Sequence, residues 1–212
     1  MRRTNESEKL LERPLRAFWL GLALLGLVAV MASVVPMGPL AIDERWSEAM
    51  RDIEGPLLKD LALFFDALGR GVGRVPLYVA VGLVLVLARR WLSLVCFAVV
   101  EVSTSLSSAL LKAAVGRPRP PDGLIHPLGS SFPSGHAAYA GATCVALVLT
   151  FTAVGPRRRW WSALAAVGIV GMAWSRTYLQ VHWLSDVVGG SMLGIGIALV
   201  VFGGAARVSA SR

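Results

Sequence analysis

The sequence is short of charge, of cysteine and of histidine. Only 16% of its 212 residues are Asp, Glu, Lys or Arg, against 55% hydrophobic, and the mean hydropathy is +0.64. Several apolar runs reach the length of about 20 residues that carries a helix across a bilayer. The chain therefore reads as an integral membrane protein rather than a soluble domain. Its two cysteines, Cys96 and Cys144, both sit inside apolar runs without metal-ligand spacing, which excludes a disulfide framework and a zinc site. No internal repeat is visible. Positive charge is the one excess, with 21 Lys and Arg against 13 Asp and Glu and a net charge of +8. In a soluble protein that balance would suggest nucleic acid, but here the basic residues gather at the ends of apolar runs and mark topology. No nucleic-acid partner is expected.

Hydrophobic patterning gives six spans, at about 17–35, 72–88, 91–111, 137–154, 160–174 and 187–202. The first is too long for the apolar part of a signal peptide and no small-residue cleavage site follows it, so it reads as a retained helix. Between the first two spans, segment 43–68 mixes acids with Leu57, Leu61, Phe64, Phe65 and Leu68, a spacing that predicts an amphipathic helix at the membrane surface. The expected fold is all-α: a polytopic membrane bundle of six transmembrane helices and one amphipathic surface helix. Residues 17–205 form the bundle, flanked by tails at 1–16 and 206–212. Lys and Arg concentrate in the N-terminal tail (Arg2, Arg3, Lys9, Arg13, Arg16), at Arg89 and Arg90, at Arg157 to Arg159, and in the C-terminal tail (Arg207, Arg212). With six spans these all share one face, which the positive-inside rule makes cytoplasmic. Both termini are then cytoplasmic, and the cell membrane is the expected location.

Three polar islands remain, and all fall on the opposite, periplasmic or extracellular face. They contain Lys112, Arg117, Arg119 and Arg176, cations on the side where the rule disfavours them, so something other than topology accounts for their presence. These groups suit phosphate: Lys as a point charge, Arg as a fork for two phosphoryl oxygens, and Ser134 with the Gly135 backbone as hydrogen-bond donors. Such a cage can stabilise the spread charge of phosphoryl transfer without a metal, and no cofactor is implied. Two of the three histidines, His136 and His182, lie in the islands, one suited to attack phosphorus and the other to protonate the leaving oxygen. His182 and Asp186 are four apart, one helical turn, so the carboxylate can fix the imidazole tautomer and stabilise its cation. Arg176, six residues earlier, is close enough to clamp the phosphoryl group.

These islands carry a resemblance. Lys112 followed by six residues and Arg119-Pro120, then Pro133-Ser134-Gly135-His136, then Ser175-Arg176 followed by five residues, His182, three residues and Asp186, match the signature of the membrane type-2 phosphatidic acid phosphatase family at every position. The resemblance implies a six-helix bundle with its site at the outer face and a phosphohistidine on His182. It also implies His136 as acid, with Lys112, Arg119, Ser134, Gly135 and Arg176 binding phosphate. Vanadate-dependent haloperoxidases share this site design, so vanadate should mimic phosphate. The implied partner is a lipid phosphate in the bilayer: phosphatidate, phosphatidylglycerol phosphate or a polyprenyl diphosphate. A phosphotransferase or a lipid-phosphate transporter with the same basic pocket is the alternative.

Other polar residues read more plainly. Arg117 lies outside the spaced motif and reads as an interfacial anchor, and His126 as a loop residue. Glu101, with Ser103, Thr104, Ser105, Ser107 and Ser108 following, reads as an interhelical hydrogen-bonding face. Gly190 and Gly194 form a small-residue pair four apart, which predicts close helix contact within the chain or, in a homodimer, between copies.

Overall fold

The structure, a computed structural model, describes residues 2–35, 38–153 and 155–210, with side chains over 14–35, 38–153 and 155–208. Among these residues there are eight helices and no strand: α1 (Arg2–Val34), α2 (Ala41–Asp52), α3 (Pro56–Gly69), α4 (Gly71–Leu87), α5 (Trp91–Val115), α6 (Gly135–Phe151), α7 (Pro156–Tyr178) and α8 (Leu184–Ala210). The side chains of Arg2, Arg3, Lys9, Arg13 and Arg212 lie outside the described set.

Each of the six expected spans coincides with a helix, but length and composition alone qualify three to cross a bilayer: Pro14–Val34, Trp91–Val115 and Leu184–Val208. A fourth qualifies if α3 and α4, which meet at a bend of 51°, count as one broken span. The others fall short for visible reasons. α6 has 17 residues, about 26 Å of rise against a hydrocarbon core of about 30 Å. α7 carries Arg157, Arg158 and Arg159 in its first turns and Arg176 in its last.

The segment read as a single surface helix is instead two helices, whose charges are mostly exposed while Asp43 and Asp66 turn inward. On α3, Leu57, Leu61, Phe64 and Leu68 are exposed while Ala62, Asp66 and Gly69 are buried. Gly55 and Pro56 separate α2 from α3, Pro56 being suited to the first helical position because it has no N–H to leave unpaired. α3 ends at Arg70, whose extended backbone also opens α4. The corner is tight enough to need Gly73, where a Cβ would lie 2.6 Å from Leu68 Cα.

α5 shows how the bundle is turned inside out relative to a soluble protein. Leu92, Val95, Val99, Val102, Leu106 and Leu110 form an exposed apolar stripe at helical spacing, and Glu101, Thr104 and Ser108 are buried on the other side. Glu101 accepts hydrogen bonds from Tyr78 on α4 and from Thr143 Oγ1 on α6, the latter at 2.8 Å. Glu101 thus joins helices, as does Ser105, which accepts from Tyr139 OH at 2.8 Å, whereas buried Thr104 Oγ1 has no partner within the protein.

The core runs along α6 and α8. Ala138, Ala142 and Ala146 on α6 pack with Leu193, Ile197 and Ala198 on α8, Val28 on α1, Val81 and Leu85 on α4, and Phe97 and Val100 on α5. Lipid tails are as apolar as these side chains, so close van der Waals fit rather than escape from water holds the helices together. Gly190 and Gly194 supply that fit inside the chain: a Cβ at Gly194 would stand 1.9 Å from Ala138 O, and one at Gly190 would stand 2.4 Å from Ser134 O. A second cluster, Met50, Ala62, Tyr178, Leu179 and Val181, seats α2 and α3 over the end of α7. The site lies beneath this cap.

Candidate active site

α5 ends at Gly116, which takes the left-handed conformation (φ +63) that lets the chain leave a helix abruptly. The loop that follows returns to α6 carrying Arg119, and Lys112 waits one turn before the exit. At the far side of the loop Ser134 caps α6, with Gly135 and His136 in its first turn, where backbone N–H groups have no partner within the helix and the helix dipole favours an anion. The α7–α8 turn brings Arg176 and His182. Its geometry is held by Gln180, a non-glycine residue at φ +52, whose amide donates to Ser47 O on α2 at 3.1 Å.

All three islands converge on one cavity of about 410 Å³ lined by Lys112, Arg119, Gly135, His136, Arg176 and His182. Arg119 donates to Val181 O at 2.7 Å and to Gly129 O at 3.0 Å, which pins the loop to the turn, and its Nη1 stands 3.2 Å from His182 Nε2. Lys112 donates to Ser130 O at 2.6 Å. Ser134 is wholly buried, and its Oγ has no hydrogen-bond partner within the protein. A phosphoryl group in this cavity would meet cations from three separate elements, Lys112 of α5, Arg119 of the loop and Arg176 of α7.

His182 is 5% exposed, and burial pushes its pKa down to about 3, with Arg119 and Lys112 adding to the fall and Asp186 opposing it. The ring is therefore neutral at ordinary pH, as a nucleophile requires. Its Nδ1 lies 3.5 Å from Asp186 Oδ2, close enough for the carboxylate to stabilise the ring once it gains charge, yet not aligned as a hydrogen bond. Asp186 itself is held firmly, by Trp183 N at 2.9 Å and by Arg117 Nη1 at 2.7 Å.

Arg117 is where the sequence reading goes wrong. It is not an anchor at the interface but a fully buried guanidinium linking Asp186 to Asp43 of α2, each at 2.7 Å. Asp43 also accepts from Ser185 N and Ser185 Oγ, both at 2.8 Å. A charge this deep persists only when opposite charges pair with it, as both aspartates do here. Two further groups were missed because α3 was read as a surface helix: Asp66 and Arg70 both line the cavity, as does His126 from the loop. Asp66 is paired with Arg176, with Arg70 Nε at 2.7 Å and with His136 Nε2 at 3.3 Å. The signal was present, since Asp66 is a lone acid inside the apolar stretch Leu61 to Leu68.

Fold and site together define a helical membrane protein with a cavity lined by several cations at one end of its bundle. The family model described as PAP2 superfamily matches residues 91–208. Phosphatidylglycerophosphatase B of Bacillus subtilis is 30% identical over 168 residues, which cover 76% of this chain and 82% of the relative. An undecaprenyl-diphosphatase of Sulfolobus acidocaldarius is 35% identical over 74 residues, 35% of this chain and 33% of the relative. The crystal structure of a transmembrane PAP2-type phosphatidylglycerolphosphate phosphatase from Bacillus subtilis superposes with a TM-score of 0.73 at 28% identity, covering 86% of this chain and 94% of that one. The chain belongs to the PAP2 superfamily.

Proposed function

We propose that this protein hydrolyses a lipid phosphate monoester or diphosphate in two steps. His182 Nε2 attacks phosphorus, the P–O bond to the lipid breaks, and His136 protonates the departing oxygen. Water then attacks the phosphohistidine, with His136 as its base, and releases phosphate. Asp186 steadies the imidazolium, while Lys112, Arg119, Arg176, Ser134 and the Gly135 backbone bind the phosphoryl oxygens. The observation that carries this reading is the placement of a neutral, buried His182 3.2 Å from the Arg119 guanidinium on the wall of the same cavity as His136. A transporter would have no need of a nucleophile with a carboxylate behind it. Among the described residues no group of three or more His, Cys, Asp or Glu is placed to hold a metal, and the cations can supply the charge stabilisation a metal would give.

The relatives' names favour phosphatidylglycerol phosphate and a polyprenyl diphosphate, alongside phosphatidate, as substrates to compare. An outward-facing site is supported by the ends of the helices. α5 and α7 begin beside Arg90 and at Arg157 to Arg159, with Trp91, Trp160 and Trp161 exposed there, and carry Lys112 and Arg176 near their opposite ends. Rapid quenching of the purified enzyme with radiolabelled short-chain phosphatidate, in chelator, should trap an acid-labile, base-stable phosphoenzyme whose label maps to His182. His182→Ala should form none and turn over at background. Label on any other residue overturns the mechanism.

A further inference from the structure

The proposed nucleophile, in the turn before α8, has a carboxylate four residues on, in the first turn of that helix. The proposed acid, His136, has none in its own motif, and the structure supplies one from elsewhere. Asp66 is 4% exposed, comes from the last turn of α3, and lies 3.3 Å from His136 Nε2. The same helix shapes the seat of the ring: a Cβ on Gly69 would lie 2.2 Å from His136 Cδ2, so the imidazole rests directly on the Gly69 backbone. We infer that Asp66 and Gly69 are positioning residues for the general acid, and that α3 completes the active site as a second His–Asp pair opposite His182–Asp186.

This inference rests on the hydrolase reading above and deepens it. A proton donor must be held charged until the P–O bond breaks, yet burial pushes the His136 pKa down to about 4, and repulsion from Arg176 and Arg70 beside it adds to the fall. Asp66 pairs with both arginines and also faces the imidazole, so its carboxylate offsets that repulsion and favours the imidazolium. It does not touch the proton that moves. When the step occurs, His136 gives its proton to the leaving oxygen and becomes neutral, and Asp66 keeps its charge throughout.

A positioning role for the acid has a signature that a merely structural role lacks. Protonation matters for a poor leaving group such as the alkoxide of phosphatidate and little for p-nitrophenolate. Asp66→Asn should lower kcat on short-chain phosphatidate by about tenfold or more and on p-nitrophenyl phosphate by about threefold or less, and should add little to the loss in His136→Ala. Because Asp66 also pairs with Arg176, KM for both substrates should hold or fall as that guanidinium is freed. Gly69→Ala displaces the ring without touching Arg176 and should show the same preference between leaving groups with KM unmoved. Equal losses on the two substrates, or losses in Asp66→Asn and His136→Ala that multiply, overturn the inference. Failure of the wild type to turn over either substrate, or survival of turnover in His182→Ala, would instead count against the hydrolase reading itself.

Discussion

The two sides of the cavity are built differently. On the nucleophile side the histidine, in the turn just before α8, and its carboxylate, in the first turn of α8, are four residues apart, and local backbone geometry nearly brings them together. On the opposite side the histidine begins α6 and its carboxylate ends α3, seventy residues earlier, so only tertiary packing joins them. A pair that is local in sequence survives small shifts between helices, whereas one made across helices reports them. What holds the nucleophile side in place is itself long-range, because Arg117 and Asp43 tie its carboxylate to α2.

The strongest test of this contrast removes the carboxylate charge from the nucleophile side. Asp186→Asn keeps the shape but cannot stabilise the imidazolium, and turnover should fall about a hundredfold to ten-thousandfold. The loss should be similar on phosphatidate and p-nitrophenyl phosphate, since the proposed mechanism has His182 attack in both. A loss that depends on the leaving group would erase the distinction between the two sides. Next in size is Arg117→Gln, which strands Asp43 and Asp186 together in a buried place. Breaking such a pair costs about 3–5 kcal/mol, to be seen as a lowered thermal unfolding midpoint in detergent. A midpoint unchanged from wild type would mean that α2 does not brace the nucleophile side.

The smallest expected effect is on acid stability. With its folded pKa down at about 3, His182 binds fewer protons than it does in the unfolded chain, where its pKa is about 6.5. Stability therefore rises with pH across that window, and the contribution is fully present above it and lost as pH falls through it. Unfolding midpoints measured at steps between pH 4 and 7 should drop less steeply on acidification in His182→Gln than in wild type. Parallel curves would show that the ring is not buried in its neutral form.

Much of this was legible in the sequence, and what was not has a physical cause. Apolar runs located the six helices from α1 to α8 that were read as spans, and fixed motif spacing located the residues that converge on the cavity. Local spacing also brought His182 near Asp186. Asp66 and Asp43 escaped because a contact over seventy or more residues leaves no periodic trace. The helical pattern of segment 43–68 was real, but amphipathicity does not say which side faces the protein. Most of the segment's charges stay exposed, and two acids, Asp43 and Asp66, turn toward the buried arginines and the cavity while Leu57, Leu61, Phe64 and Leu68 face outward. Arg117 was misread for a related reason: an arginine at the end of a span is usually an anchor, and only the two aspartates that surround it show otherwise.

The contact between α6 and α8 works as a ruler. At Gly190 and Gly194 no side chain from α8 separates it from the α6 end, so backbone meets backbone, and Ser134 N donates to Asp186 O at 3.0 Å. The offset between the start of α6, the proposed seat of the phosphoryl group, and the start of α8 beside His182 is thus set by main-chain atoms, which no choice of rotamer can lengthen or shorten. Redesign for a bulkier or more highly charged headgroup has little freedom there. It would have to work on α3 and the loop over residues 117–133, the parts of the wall whose spacing side chains still control.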